Sequence, residues 1–390
     1  MISSWRRDVK QRLSPLDFLR GIALLGVLVV HTSQSFPSIS YRLGEVYFFG
    51  RYGVQLFFAV SGFTIMMMYQ SYLDKWETPV KVFYLKRILR LYPLFFVAAF
   101  AYIPLFEHYS NFNPDGLQAM DLVRVLTLTG GIDPHLLNAV VPGGWSIIDE
   151  IYFYLLFPIM FMAYGRVNMV YIGLLIAGLN IALNLSAETV FAGREPWLIE
   201  DFLYRNILNN IVVFYAGIEA WRRLNKSSCD FLKIWVPFAI ASVVVQYLRS
   251  DHTGIAAMKE VVYLFLDHQA PMMSSAAMAF IIHWVMVLSF RIPKLSQPQL
   301  EKFGTVTYTG YITHFGIIAL AEMLVHQFGL TNVARFELMI IPITAVTALV
   351  SFSIVKWTEH YWQNLANQLC ANWFSRKNSA TAPNVVKAGA

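Results

Sequence analysis

Residues 14–36 read SPLDFLRGIALLGVLVVHTSQSF. A membrane-spanning helix needs about 20 mostly apolar residues, and this stretch supplies them while also carrying Asp17, Arg20 and His31. It lacks a small-residue cleavage site, so it is expected to remain in the mature protein rather than leave as a secretory signal. Eleven helical steps at about 100° each return His31 to within about 20° of Arg20, roughly 16 Å along the axis. Asp17 lies about 40° to the other side of His31. One stripe of the helix thus carries an acid and a base near one end and an imidazole near the other.

The rest of the chain has the same character. Of its 390 residues 57% are hydrophobic and only 14% charged, and the mean hydropathy is +0.50. Soluble domains run at about 25% charged, so the composition excludes a disordered protein, a coiled coil and a soluble enzyme of ordinary surface. Nine further apolar stretches lie at about 53–70, 91–106, 145–164, 167–185, 206–221, 234–248, 271–290, 305–326 and 337–357. The predicted fold class is therefore all-α, a polytopic membrane bundle of about ten spans.

With the N-terminus placed inside, the inner segments hold 21 of the 30 Lys and Arg and the outer segments eight. That asymmetry predicts both termini in the cytoplasm. It also accounts for the formal charge of +6 without a nucleic-acid surface. The expected organisation is a basic N-terminus at 1–13, a membrane domain at 14–365 and a disordered cytoplasmic tail at 366–390. Cys229 and Cys370 fall on the inner side and are expected as free thiols. No metal-spaced Cys/His cluster is present, so no metal is expected, and no internal repeat divides the chain into related halves.

Ionisable groups within spans cost at least about 2.5–3.5 kcal/mol on insertion scales, which makes each a functional candidate. The fourth span opens PGGWSIIDEIYFY, residues 142–154. It places Glu150 at about the depth of His31, where the carboxylate is expected to orient the imidazole and strengthen it as a base. Ser61 in the second span has no nucleophile elbow around it and reads as a packing or hydrogen-bonding residue. Tyr308, Tyr311 and His314 recur every three residues along one face of the ninth span. His283 has no evident partner, and His108, His252, His268 and His326 read as rim residues. Lys86, Arg87 and Arg90, in an inner loop before the third span, suit anionic lipid head groups or a phosphate-bearing cofactor.

Together these segments resemble the membrane acyltransferase family 3, over about residues 13–365. The resemblance rests on Arg20 and His31 with ten residues between them, on GVQLFFAVSGF at 53–63 and on FYLKRILRLYP at 83–93. It rests also on WSIIDEIYFYLLFP at 145–158 and YTGYITHF at 308–315. Gln55 stands where an acid is frequent in the family, and His360 follows Glu359 where Pro is common. The resemblance implies a multi-pass protein of a bacterial cytoplasmic membrane. It implies transfer of an acyl group, expected to be acetyl, from cytoplasmic acyl-CoA (acetyl-CoA) to a hydroxyl of a glycan, polysaccharide or glycolipid at the outer side.

On that reading His31 is the general base, Glu150 orients it, and Arg20 holds the donor or steadies its thiolate. Arg87, Arg90 and Lys86 bind the donor phosphates. Asp17, Ser61, Trp145, Ser146, Tyr311 and His314 contact substrate. Outer loops 107–144 and 186–205 are long enough to shape an acceptor site. Succinyl or another acyl group on the same scaffold is an alternative. A transporter or flippase is the rival class, since intramembrane Arg, His and Glu also serve proton relays.

Overall fold

The computed structural model describes residues 2–105, 117–138, 140–164, 166–225, 229–249 and 270–377. Their regular structure is helical, apart from two isolated bridges. Helix α1 runs Ile2–Ser35, α2 Tyr41–Phe48, and a 3-10 turn over Phe49–Tyr52 leads into α3, Gly53–Lys75. Then come α4 (Pro79–Ala101), α5 (Ala119–Leu126), α6 (Gly144–Ala163), α7 (Met169–Val190), α8 (Pro196–Arg205) and α9 (Ile207–Leu224). The chain continues through α10 (Phe231–Arg249), α11 (Pro271–Arg291), α12 (Pro298–Gly304), α13 (Thr307–Gln327), α14 (Phe336–Val355) and α15 (Tyr361–Trp373).

Eight helical stretches among the described residues are long and apolar enough to cross a membrane. All ten expected segments are helical over most of their described residues, and the two that fall outside those eight are α4 and α9. The polarity of α9 has a physical reason. Asn209, Asn210 and Glu219 are all buried against neighbouring helices rather than turned outward, so its polar groups meet protein and not lipid. In α4 the helix begins at Pro79, a favoured first position, twelve residues before the expected span. Lys86, Arg87 and Arg90 therefore sit on a helix, which corrects their expected place in a loop.

The bundle is apolar outside and partly polar within. Leu174, Leu175, Ile240, Ile341 and Leu349 are exposed on the periphery, whereas Gln55, Arg87, Asp149, Asn210 and His314 are buried. At its centre Phe214 of α9 stacks on Phe58 of α3 and Phe153 of α6, with ring centroids 4.5 and 4.2 Å apart. His283 belongs to this packed interior: its ring lies flat on Phe231 at 4.3 Å, and Nδ1 is 3.1 Å from the Ala216 carbonyl oxygen.

After α14 the helix widens into one π turn, Lys356–His360. There the buried Glu359 carboxylate accepts from the Thr309 backbone N–H (3.2 Å) and hydroxyl (2.7 Å) at the start of α13. The expected disordered tail from 366 is corrected over 366–377. Helix α15 continues to Trp373, Asn367 holds Lys86 at 2.7 Å, and Arg376 forms a bridge with Trp76 and covers its ring. Residues 378–390 lie outside the described residues, as do His108, His252 and His268. His326 is exposed at the end of α13. Cys229 and Cys370 are free.

Candidate active site

The stripe on α1 borders two separate cavities. The inner one, named for the side on which the charge asymmetry is expected to place it, is lined by Arg20, Ser61, Arg87, Arg90, Glu150 and Tyr308, among others. The outer one is lined by His31, Gln34, Arg51, Trp145, Arg205 and Phe315, among others. Val54 and Tyr311 line both.

In the inner cavity Arg20 donates to Asp17 at 2.7 Å and to the Thr64 hydroxyl at 2.9 Å. Asp17 thus acts on Arg20 and is not itself part of the lining. Glu150 accepts from Ser61 at 2.5 Å and from the Tyr154 hydroxyl. Arg87 is 3% exposed, with one terminal nitrogen 3.1 Å from the Met68 sulfur and its guanidinium 5.3 Å from the centre of the Tyr154 ring. The Nε atoms of Arg87 and Arg90 are buried without a hydrogen-bond partner. Lys86 is not brought to this group; its ammonium is taken by Asn367. The inner cavity therefore sets three guanidiniums in its lining against one carboxylate, Glu150, an arrangement suited to an anion.

In the outer cavity His31 Nδ1 lies 2.9 Å from Gln34 Oε1. Its ring packs against Phe315 at 4.4 Å and His314 at 5.4 Å between centroids. His314 is fully buried and lines neither cavity. Its Nδ1 is 2.6 Å from the Tyr311 carbonyl oxygen, and an oxygen that only accepts makes Nδ1 the donor. Nε2 of His314 then carries the lone pair, and it has no partner. The same logic at Gln34 leaves Nε2 of His31 as a base.

The expected pairing of His31 with Glu150 is corrected. Gly143 takes φ of +75°, a backbone region open to glycine. Its N–H donates to Asn138 at 2.8 Å, and α6 starts there. Trp145 consequently lines the outer cavity, while Glu150, more than a turn further on, lies in the inner one with Ser61. Ser61 takes the hydrogen-bonding role expected of it, donating to the Glu150 carboxylate. Between the chambers the Ser146 and Tyr311 hydroxyls are 2.8 Å apart, and Tyr311 donates to the Gly143 carbonyl at 3.0 Å. Helix α13 is braced there by Tyr102, whose hydroxyl donates to the Ile312 carbonyl at 2.6 Å and accepts from Gly316 at 3.0 Å.

Several lining residues were not among the candidates from sequence: Arg51, Asp201, Tyr204, Arg205, Gln34 and Thr64. Gln34, one turn from His31, had a readable signal in its spacing. Arg51 and Arg205 count as loop charges by position, and only the fold turns them toward the cavity.

A family model described as an acyltransferase domain matches residues 14–356. Comparison with curated proteins and with solved structures finds no match.

Proposed function

The chain belongs to this acyltransferase family, and we propose that it carries an acetyl group from a cytoplasmic coenzyme A thioester to a hydroxyl of a glycan, polysaccharide or glycolipid on the far side of the membrane. The observation that supports this reading is that Val54 and Tyr311 line both cavities. A donor held from one side and an acceptor entering from the other then meet at one place.

The donor's phosphates suit the inner chamber, where Arg20, Arg87 and Arg90 stand around Glu150. The acceptor hydroxyl approaches His31 from the outer chamber. His31 Nε2 takes the hydroxyl proton, and the hydroxyl oxygen bonds to the acyl carbonyl carbon. The carbon–sulfur bond breaks, and the coenzyme A thiolate leaves and takes up the proton that His31 received. Gln34 fixes the tautomer of His31, and His314 sets a second imidazole lone pair beside it. Glu150 acts in the inner chamber, offsetting guanidinium charge and holding Ser61 and Tyr154. The proposed location is the cytoplasmic membrane of a bacterium, with the inner chamber toward the cytoplasm.

General-base catalysis is worth about 10²–10⁴ in rate. His31→Ala, purified in nanodiscs and supplied with labelled acetyl-CoA and a glycan acceptor, is expected to lose transfer by at least about 100-fold. Transfer by this variant at the wild-type rate, with equal protein, would remove His31 from the chemistry.

A further inference from the structure

The outer cavity holds one group that acyl transfer by His31 does not use. Arg51 stands in the 3-10 turn Phe49–Tyr52 and is 8% exposed. The turn is drawn tightly onto α1: a Cβ on Gly50 would strike the Gly26 carbonyl oxygen, so only glycine permits this approach. Arg51 thereby lines the outer cavity together with Val30 and His31. Its guanidinium is fenced by rings, with the Phe48, Tyr52 and Tyr204 centroids at 4.3, 4.9 and 5.7 Å.

A guanidinium carries five N–H donors. In Arg51, Nη2 donates to the Tyr52 hydroxyl at 2.8 Å, while Nε and Nη1 are buried with no partner. A buried charge without a counter-ion is expensive. Arg20 and Arg222, by contrast, have carboxylates beside them, Asp17 and Glu219, and Arg87 and Arg90 share their cavity with Glu150. The carboxylate lining the outer cavity is Asp201, and it lies 2.7 Å from Arg205. The described lining therefore sets two guanidiniums against one carboxylate. Burial pushes the Tyr204 phenol up to about 12, against the opposing influence of Arg51, so this ring does not supply the missing charge near neutral pH. Trp145, Tyr204 and Phe315 add aromatic faces to the same space, surfaces on which the C–H faces of a sugar ring pack.

We propose that the outer cavity is a subsite for an acceptor bearing an oxyanion, a carboxylate or a phosphate ester, which Arg51 binds while the acceptor hydroxyl faces His31. The inference rests on the outer cavity being the acceptor side and specifies the class of acceptor: an acidic glycan. Charge-assisted hydrogen bonds to a guanidinium are about twice as strong as neutral ones. A site built to hold a charged group also rejects the neutral analogue, because its own buried polar atoms are then left unpaired.

The test uses the full chain in nanodiscs and equilibrium binding of three probes: a glucuronate oligosaccharide, its methyl ester, and the corresponding neutral oligosaccharide carrying a 6-phosphate. At least one anionic probe is expected to bind ten-fold or more tightly than the methyl ester. Preference for the uronate alone assigns the carboxylate, and preference for the phosphate alone assigns the ester. The preference is expected to fall below two-fold in Arg51→Gln and to survive in part in Arg51→Lys. Equal binding of charged and neutral probes by the wild type overturns the proposal, and so does an undiminished preference in a folded Arg51→Gln. Should Arg51→Gln not fold, the wild-type comparison and Arg51→Lys decide. Labelled-acetyl transfer is followed in parallel. Charge preference without transfer counts against the proposed function and leaves the anion subsite standing, whereas transfer without charge preference removes the subsite alone.

Discussion

Arg87, Arg90 and Lys86 lie within five positions on α4, yet they have different surroundings. Arg87 and Arg90 line the inner cavity with their Nε atoms unpartnered, while Lys86 is held by Asn367 on α15. If the inner cavity takes the donor phosphates, Arg90→Gln is expected to raise the apparent KM for acyl-CoA by at least about ten-fold, the loss of one charge-assisted contact of roughly 1.5–3 kcal/mol. Lys86→Gln is expected to shift it less than two-fold. Equal effects of the two substitutions would make the whole segment a lipid anchor. This distinction is invisible in the sequence, where the three residues form one basic cluster. The shared face of Arg20 and His31 was legible, because a single helix fixes angle and rise together. The partner of Glu150 was not: similar depth on two helices leaves the rotation of each about its axis unspecified. His31 is also only one turn from Ser35, the end of α1, whereas Glu150 lies further into α6 and past Tyr311.

At the scale of elements, the position of α13 decides where Tyr308, Tyr311 and His314 stand. Its first turn is gripped by Glu359 from the π turn after α14, and π turns often mark functional places in helices. The Tyr308 hydroxyl ties the same helix to the Leu91 carbonyl of α4 at 2.5 Å. Glu359→Ala removes a buried acceptor and strands the Thr309 N–H, while the Thr309 hydroxyl keeps the Thr358 hydroxyl at 2.8 Å, and it is expected to destabilise the fold by about 1–3 kcal/mol. Glu359→Gln keeps one acceptor oxygen and is expected to retain more than half of that. Thermal unfolding in detergent reads both; no shift in the alanine variant would show that α13 is held by packing alone. The helical segments were readable from apolar length. The long N-terminal extension of α4 and the helix α15 were not, because their charged and amide residues look like loop or tail until the partner surface, here the pairing of Lys86 with Asn367, is known.

For the whole molecule, the placement of charge sets the orientation. Four of the loop-counted guanidiniums, Arg51, Arg87, Arg90 and Arg205, line the inner and outer cavities. Setting them aside leaves 19 Lys and Arg on the expected inner side against six on the outer. The bias that orients a multi-pass chain is therefore stronger once functional charge is separated from topological charge. On the proposed orientation the inner cavity, with Arg20, Arg87 and Arg90, lies toward the cytoplasm, the side proposed for the acyl-CoA donor. The turn after α7, with the exposed Arg194, then faces outward, and Cys229 before α10 faces inward. In intact, right-side-out vesicles a membrane-impermeant maleimide is expected to label Arg194→Cys in a chain lacking its native cysteines. It is expected to reach Cys229 of the wild type only after the membrane is opened. Burial pushes the Cys229 thiol up, so less of it is thiolate near neutral pH and its labelling is expected to be slow and to quicken as pH rises. Labelling of Cys229 from outside with protection of position 194 would invert the chain, and the guanidinium chamber would then open away from the proposed donor.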